Sequence, residues 1–166
     1  PAELRARPEY ADAFRVIAGR IADSLDGLPK KVLPIRMYVA GGAALHFHTG
    51  ERVTQDIDAT FSRRIALHDR LDVSYRDADG AARLFYFDRQ YNDSLALMHD
   101  DACEDAEPLA LPGLDPAILE VRLLTPTDLA VSKIGRFASI DRDDIAALAR
   151  LGLVSAETLR LRAEEA

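Results

Sequence analysis

The most informative segment of the sequence is Arg52-Val53-Thr54-Gln55-Asp56-Ile57-Asp58. Apolar and polar residues alternate from position 53 to position 61, which predicts a β-strand over 53–61 with one apolar and one polar face. Side chains two residues apart on a strand point to the same face, so we expect the carboxylates of Asp56 and Asp58 about 6 to 7 Å apart. Two carboxylates at that spacing can share a divalent cation, because Mg²⁺ prefers oxygen ligands. The alternative is a solvated polar face without a cation.

A pair of glycines precedes this segment. Ile35–Ala40 is a short apolar run that predicts a buried strand, and residues 43–48 predict a short helix that Gly50 ends. Gly41 and Gly42 lie between the two elements, where a missing Cβ lets the backbone approach a phosphate and the helix N-terminus offers free N–H donors. A plain tight turn is the alternative. The later glycines and the lysine of a Walker loop or dinucleotide fingerprint are missing.

The remaining pattern predicts one α+β domain over residues 1–166, in which a mixed β-sheet is flanked by helices and the C-terminal third is helical. Asp77-Ala78-Asp79-Gly80 predicts a hairpin turn between two strands. Residues 89–117 predict loops around short elements. The predicted elements are an N-terminal helix at 3–26, a mixed sheet core over 35–124 that includes strands at 71–76, 83–87 and 119–124, and C-terminal helices within 126–165.

Composition bounds the class of protein. The net charge of −7 argues against a general DNA-binding protein, which needs a basic face to displace counterions from phosphates. The single cysteine, Cys103, excludes an internal disulfide and suits a reducing compartment. No apolar run approaches the roughly 18 residues of a membrane span, and the N-terminus has no apolar signal core. These features predict a cytoplasmic protein without a membrane segment.

The two motifs occur in a specific order, since Asp56 follows Gly42 by 14 residues. A Gly-Gly turn that opens a helix, followed by a strand with two carboxylates on one face, resembles the nucleotidyltransferase superfamily with the polymerase-β-like fold. The Arg-x-Thr-x-Asp-x-Asp pattern of residues 52–58 is most similar to the bacterial branch that includes the AbiEii-type abortive-infection toxins and small uncharacterised relatives. That branch also has a lysine on a helix after the sheet, here Lys133, and then an acidic turn, here 141–144.

The resemblance implies metal-dependent transfer of a nucleotidyl group from an NTP to a hydroxyl acceptor, with pyrophosphate as the leaving group. Asp56 and Asp58 would hold Mg²⁺ or Mn²⁺ against the triphosphate. Lys133 would neutralise phosphate charge. Asp143 or Asp144 would act as the base or orient the acceptor hydroxyl. The nucleotide-binding residues that the resemblance implies are Gly41, Gly42, Arg52 and Thr54.

The superfamily usually has a third carboxylate on a neighbouring strand. Asp88, at the end of the predicted strand 83–87, and Asp93 are the two candidates, and the sequence does not rank them. Without a third acid near the metal, the domain would bind nucleotide as a regulatory or interaction module. A structural α+β domain with solvated carboxylates is a separate alternative. The acceptor implied for an enzyme is tRNA, a protein side chain or a small molecule, and a toxin-like member would have a cognate antitoxin.

Several of these residues also have ordinary structural interpretations. Lys133 can be a surface lysine of an amphipathic helix, and Arg52 can be an ion-pair partner that holds the loop before the strand. Asp141 and Asp144 have the spacing of an N-cap residue and the third residue of a helix. Thr125-Pro126-Thr127-Asp128 predicts the start of the preceding helix, with Thr125 as its N-cap.

Overall fold

The computed structural model of the chain describes residues 4–89 and 97–166. Within these ranges helices flank two mixed sheets, and the C-terminal third is helical, so the predicted α+β class is confirmed. The helices are α1 Pro8–Asp23, α2 Gly41–Thr49, α3 Ala102–Asp105, α4 Pro126–Ile134, α5 Ser139–Arg150 and α6 Ala156–Glu164. The strands are β1 Ile35–Val39, β2 Asp56–Ile57, β3 Ala59–Phe61, β4 Asp72–Arg76, β5 Ala82–Phe87, β6 Glu107–Pro108 and β7 Leu119–Leu123. No helix in the described ranges has the length and apolar character needed to cross a membrane.

The strands form two sheets, with the orders β3-β1-β7-β6 and β2-β5-β4. In the first sheet, β1 pairs parallel with β7 and antiparallel with β3. In the second, β2 pairs parallel with β5, and β5 pairs antiparallel with β4. The predicted hairpin turn joins β4 and β5: the N–H of Asp77 donates to the carbonyl of Ala81 at 3.0 Å, and Gly80 has a φ of +79°.

The strand predicted over 53–61 is not continuous. The chain forms β2, leaves it at Asp58 and forms β3, and the two strands belong to different sheets. The carbonyl of Asp58 accepts a hydrogen bond from the N–H of Ala40 at 2.8 Å. The prediction of one strand was therefore wrong, because simple alternation cannot show that the chain changes sheets. The change places Asp58 directly beside the turn that follows β1.

The N-terminal helix packs the apolar stripe of its sequence against the second sheet. The rings of Tyr10 and Phe85 are 4.6 Å apart, and Tyr10, Phe14, Ile17 and Ile21 are fully buried. The predicted bounds of 3–26 were too wide within the described residues, since the helix begins at Pro8 and ends at Asp23. Proline suits the first turn of a helix because its missing N–H is not needed there.

Two other helices begin earlier than predicted. Helix α2 begins at Gly41 rather than at residue 43, so both glycines lie in its first turn. Helix α5 begins at Ser139, which makes Asp141 the third residue of the helix and not its N-cap. The carboxylate of Asp141 accepts a hydrogen bond from the N–H of Ala138 at 3.0 Å. The side chain of Thr125 accepts from the N–H of Asp128, so the predicted cap of α4 is confirmed.

Candidate active site

Three aspartates come together where β2 and β5 end. One carboxylate oxygen from each of Asp56, Asp58 and Asp88 lies within 4.8 Å of the others, and all three residues are half-buried. In the described ranges, this is the group of acidic, histidine or cysteine side chains with spacing suited to a metal ion. We call it the carboxylate cluster.

The pairing of the strands explains why Asp88 joins the cluster. In the parallel pair of β2 and β5, Asp56 lies opposite Tyr86, and Ile57 lies opposite Phe87. The two strands therefore end side by side. The N–H of Asp88 then donates to the carbonyl of Ile57 at 3.1 Å. Asp93, the other sequence candidate, lies outside the described residues. The parallel register is a property of the fold that the sequence pattern does not contain.

Burial and the neighbouring negative charges both act on the pKa of Asp58. Burial and then the charges of Asp56 and Asp88 raise this pKa from its ordinary value of 3.8 to about 6, although Lys133 and Arg136 lower it in part. A carboxyl group in such surroundings resists ionisation unless a cation neutralises the site. A divalent cation would remove this repulsion, and oxygen atoms are the ligands that Mg²⁺ and Mn²⁺ prefer. The three residues therefore fit a hard divalent metal.

The glycine turn borders the cluster directly. Gly41 has a φ of +58°, in the left-handed region, and a Cβ built on it would overlap Oδ2 of Asp58. A Cβ on Gly42 would lie 2.9 Å from Cβ of Thr54 and 3.2 Å from a terminal nitrogen of Arg52. Among described residues, no side chain caps the N-terminus of α2, so its first N–H groups stay available to an anion. The two predicted motifs thus form one surface.

Replacing Gly41 with alanine should damage this surface. We expect Gly41→Ala to lower the free energy of unfolding by about 1 to 3 kcal/mol, because the new methyl group both demands a strained φ and displaces Asp58. Gly19→Ala is the matched control, since Gly19 lies within α1 with no atom within 4 Å of an added Cβ. The control should stabilise the chain by roughly 0.5 to 1 kcal/mol. Urea unfolding measures both changes, and equal effects of the two variants would contradict the proposed contact.

Arg52, predicted to assist nucleotide binding, reaches from the loop before β2 to helix α5. Its Nε and a terminal nitrogen donate to the two carboxylate oxygens of Asp144 at 3.1 and 2.8 Å. The ion-pair interpretation of Arg52 is therefore present in the structure, and the guanidinium still lies next to Gly42. Thr54, the other predicted ligand, donates from its hydroxyl to Oδ1 of Asp56. That bond fixes the position of one member of the carboxylate cluster.

Lys133 is buried and ion-paired. Its side chain is 8% exposed, and its Nζ lies 2.7 Å from Oδ2 of Asp144 and 3.9 Å from Oδ1 of Asp141. The surface-lysine interpretation is therefore wrong, because α4 turns this residue inward toward α5. Asp144 lies in the body of α5 with a side chain only 4% exposed, so its capping interpretation is also wrong. Arg52, Lys133 and Asp144 form what we call the buried ion network.

The two candidate bases on α5 have different environments. Asp144 is already paired with two cationic side chains, while Asp143 is exposed and lies outside the carboxylate cluster. Sequence reasoning did not single out Arg136, which pairs through two bonds of 2.7 Å with Asp141 and lowers the pKa of Asp58. Helical spacing gave no signal for this residue, because α4 ends at Ile134 and Arg136 lies in the turn that follows.

Comparisons with known proteins place these motifs in a family. The family described as "Nucleotidyltransferase of unknown function (DUF6036)" matches residues 19–166. A comparison with curated proteins finds no match. Among solved structures, the chain is similar to an antigenic nucleotidyltransferase-like protein from Paracoccidioides brasiliensis, with 18% sequence identity, a TM-score of 0.49, and coverage of 96% of this chain and 87% of that chain. The matched range of the family contains the whole carboxylate cluster, the glycine turn and the buried ion network.

Proposed function

Since the chain belongs to the DUF6036 family of nucleotidyltransferases of unknown function, we propose that it transfers a nucleotidyl group from an NTP to a hydroxyl acceptor. The observation that supports this proposal best is the carboxylate cluster beside the glycine turn. Asp56, Asp58 and Asp88 offer three oxygens within 4.8 Å of one another, and Gly41 adjoins one of them. A cation site next to free helix N–H donors suits a metal-bound triphosphate.

Mg²⁺ or Mn²⁺ is the cofactor that the carboxylate cluster would hold. When bound, such an ion neutralises the charge of the triphosphate and of the pyrophosphate that leaves. The chain's own contribution is to keep Asp56, Asp58 and Asp88 together despite their repulsion. Thr54 supports this arrangement by its hydrogen bond to Asp56.

The glycine turn is proposed to hold the outer phosphates of the NTP. The uncapped N–H groups at the start of α2 can donate to phosphate oxygens, and the partial positive charge of the helix N-terminus favours an anion. Arg52 adds a positive charge beside Gly42, and Lys133 adds another that acts on Asp58. The absence of side chains on both glycines gives the phosphates room next to the backbone.

We assign proton transfer to Asp88 and a positioning role to Asp144. The carboxylate of Asp144 is engaged by Arg52 and Lys133, so its oxygens are poorly placed to accept a further proton. Asp88 belongs to the carboxylate cluster and also borders an open cavity, where an acceptor hydroxyl can approach. Asp143, the other predicted base, stays a candidate only for an acceptor that contacts the exposed side of α5.

The finer predictions from the sequence depend on this activity. A toxin-like role with a cognate antitoxin is supported by the similarity of residues 52–58 to the AbiEii-type branch, and it stays a prediction. The acceptor class of tRNA, protein or small molecule and the cytoplasmic location also stay predictions from sequence and composition. The single domain over residues 1–166 is likewise proposed, and it agrees with one site that draws on β2, β5, α2, α4 and α5.

Release of pyrophosphate from each of the four NTPs tests the proposed function. We expect release to require Mg²⁺ or Mn²⁺, to favour one NTP, to increase with the correct acceptor, and to stop in EDTA. The acceptors to supply are bulk tRNA, protein (with transfer to the chain itself followed by mass spectrometry) and small phosphorylated or unphosphorylated sugars. Tight NTP binding without release under any acceptor would favour the regulatory module instead. Absence of both metal and nucleotide binding would favour a structural domain.

A further inference from the structure

An open cavity of about 370 Å³ adjoins the carboxylate cluster through Asp88. It lies beside the ends of β3 and β5 and includes the segment that follows β3. We call it the arginine cavity, because three of its lining residues are arginines. Its lining includes Phe61, Arg63, Arg64, Phe87, Asp88 and Arg89. Its volume lies within the range of about 300 to 1,000 Å³ that is typical of small-molecule sites.

The charge of the arginine cavity is opposite to that of the whole chain. The chain has a net charge of −7, yet three guanidinium groups line this one recess. Arg63 and Arg64 are exposed, and neither lies within 4.0 Å of a carboxylate among residues 4–89 and 97–166. Arg89 donates to the carbonyl of His68. Cations concentrated in a recess attract anions, and guanidinium groups match phosphate geometry especially well.

The cavity also has an apolar wall. The rings of Phe61 and Phe87 are 5.8 Å apart, with Ile65 and Leu67 nearby in the lining. Backbone bonds hold the segment after β3 in place: the N–H of Ser62 donates to the carbonyl of Arg36 at 2.9 Å. An aromatic wall next to cations suits a ligand that has both a ring and an anionic group. A sugar phosphate has this combination.

We propose that the arginine cavity binds the acceptor, and that the acceptor is a small hydroxyl compound carrying a phosphate group. This inference rests on the proposed function and narrows its substrate class. Arg63 and Arg64 hold the phosphate, and the aromatic wall contacts the ring. A free hydroxyl then lies near Asp88, which borders both the arginine cavity and the carboxylate cluster.

The acceptor hydroxyl oxygen forms a bond to the α-phosphorus of the NTP, and the bond from that phosphorus to the oxygen bridging toward the β-phosphorus breaks. Pyrophosphate leaves with the electron pair of that bond. The proton of the hydroxyl passes to the carboxylate of Asp88. The products are a nucleotidylated sugar phosphate and pyrophosphate, with no change in oxidation state.

Calorimetric binding of ribose 5-phosphate, compared with ribose, tests this proposal. The intact chain is first saturated with Mg²⁺ and a non-hydrolysable NTP. The glycine turn is then occupied, so the heat measured on adding a sugar reports binding in the arginine cavity alone. We expect ribose 5-phosphate to bind at least about tenfold more tightly than ribose, because charge-assisted hydrogen bonds to phosphate are strong. In the double variant Arg63→Gln/Arg64→Gln, this preference should fall by about tenfold or more.

Arg15→Gln/Arg160→Gln is the matched control, because it removes the same charge from two arginines that pair with acids on their own helices. The control should keep the preference for ribose 5-phosphate. The proposal would be overturned if the intact chain bound the two sugars equally. It would also be overturned if both double variants lost the preference for ribose 5-phosphate to the same extent. If the NTP analogue binds and ribose 5-phosphate does not, the inference fails while the proposed function stands. If the sugar phosphate binds and no NTP does, the proposed function fails and the acceptor role fails with it.

Discussion

Replacing Asp58 with asparagine should lower the rate of metal-dependent pyrophosphate release by about 10³-fold or more. Removal of one preorganised electrostatic group lowers kcat by about 10²- to 10³-fold, and the loss of a carboxylate also weakens metal binding. Asparagine keeps the volume of the side chain and one oxygen, but it removes the charge. Asp58 is the member of the carboxylate cluster that adjoins Gly41, so it lies between the proposed metal site and the glycine turn. Steady-state release with the preferred NTP measures the effect.

The same variant should be more stable than the wild type when no metal is present. In the folded chain the pKa of Asp58 is raised from 3.8 to about 6, so the folded state binds more protons than the unfolded state between these pH values. Ionisation of Asp58 therefore destabilises the fold as the pH rises through this window, by roughly 3 kcal/mol for a pKa difference of this size. In EDTA, the variant should exceed the wild type in unfolding free energy above pH 6 and match it near pH 4.

A control variant and a second measurement show whether Asp58 binds the metal or only destabilises the fold by its charge. Asp79→Asn changes an exposed aspartate of the hairpin turn and should leave both turnover and the pH curve unchanged. Excess Mg²⁺ should raise the melting temperature of the wild type and of Asp79→Asn, because a ligand that binds only the folded state stabilises it. An Asp58→Asn protein that keeps normal turnover, or that still gains stability from Mg²⁺, would contradict the metal assignment.

The sequence predicted the parts of this site that depend on local pattern. The Gly-Gly turn, its helix and the adjacent pair of aspartates are local features, because each is set by a few neighbouring residues and by backbone geometry. The α+β class follows from the order of periodic segments. These expectations required no knowledge of which strands pair.

The sequence could not predict the features that depend on pairing between distant segments. Asp88 and Asp93 could not be ranked, because the choice depends on the parallel register of β2 with β5. The break of the predicted strand at Asp58 has the same origin, since β3 joins a sheet that β2 does not. The contact of Lys133 with Asp144 joins two helices whose packing the pattern of either helix does not determine. The arginine cavity likewise needs the ends of two strands to lie side by side.

Replacing Asp144 with alanine should destabilise the chain by about 3 to 5 kcal/mol, the usual result of removing one partner from a buried ion pair. Asp144 accepts from Arg52 at 2.8 Å and lies 2.7 Å from Nζ of Lys133. The side chain of Lys133 is only 8% exposed, so its ammonium would keep little contact with water after the substitution. Asp141, at 3.9 Å from Nζ, is already paired with Arg136 and offers only partial compensation. Urea unfolding gives the free energy.

Asp143→Ala is the matched control for this prediction, because it removes the adjacent carboxylate from the exposed side of the same helix. It should change the free energy of unfolding by less than about 0.5 kcal/mol. The double variant Lys133→Met/Asp144→Leu should recover much of the stability lost in Asp144→Ala, since apolar side chains of similar volume often replace a buried pair without cost. If Asp144→Ala instead abolishes turnover while the chain stays as stable as Asp143→Ala, the positioning role is wrong. The base role that the sequence predicted for Asp144 would then be the better interpretation, because catalysis would depend on that carboxylate and folding would not.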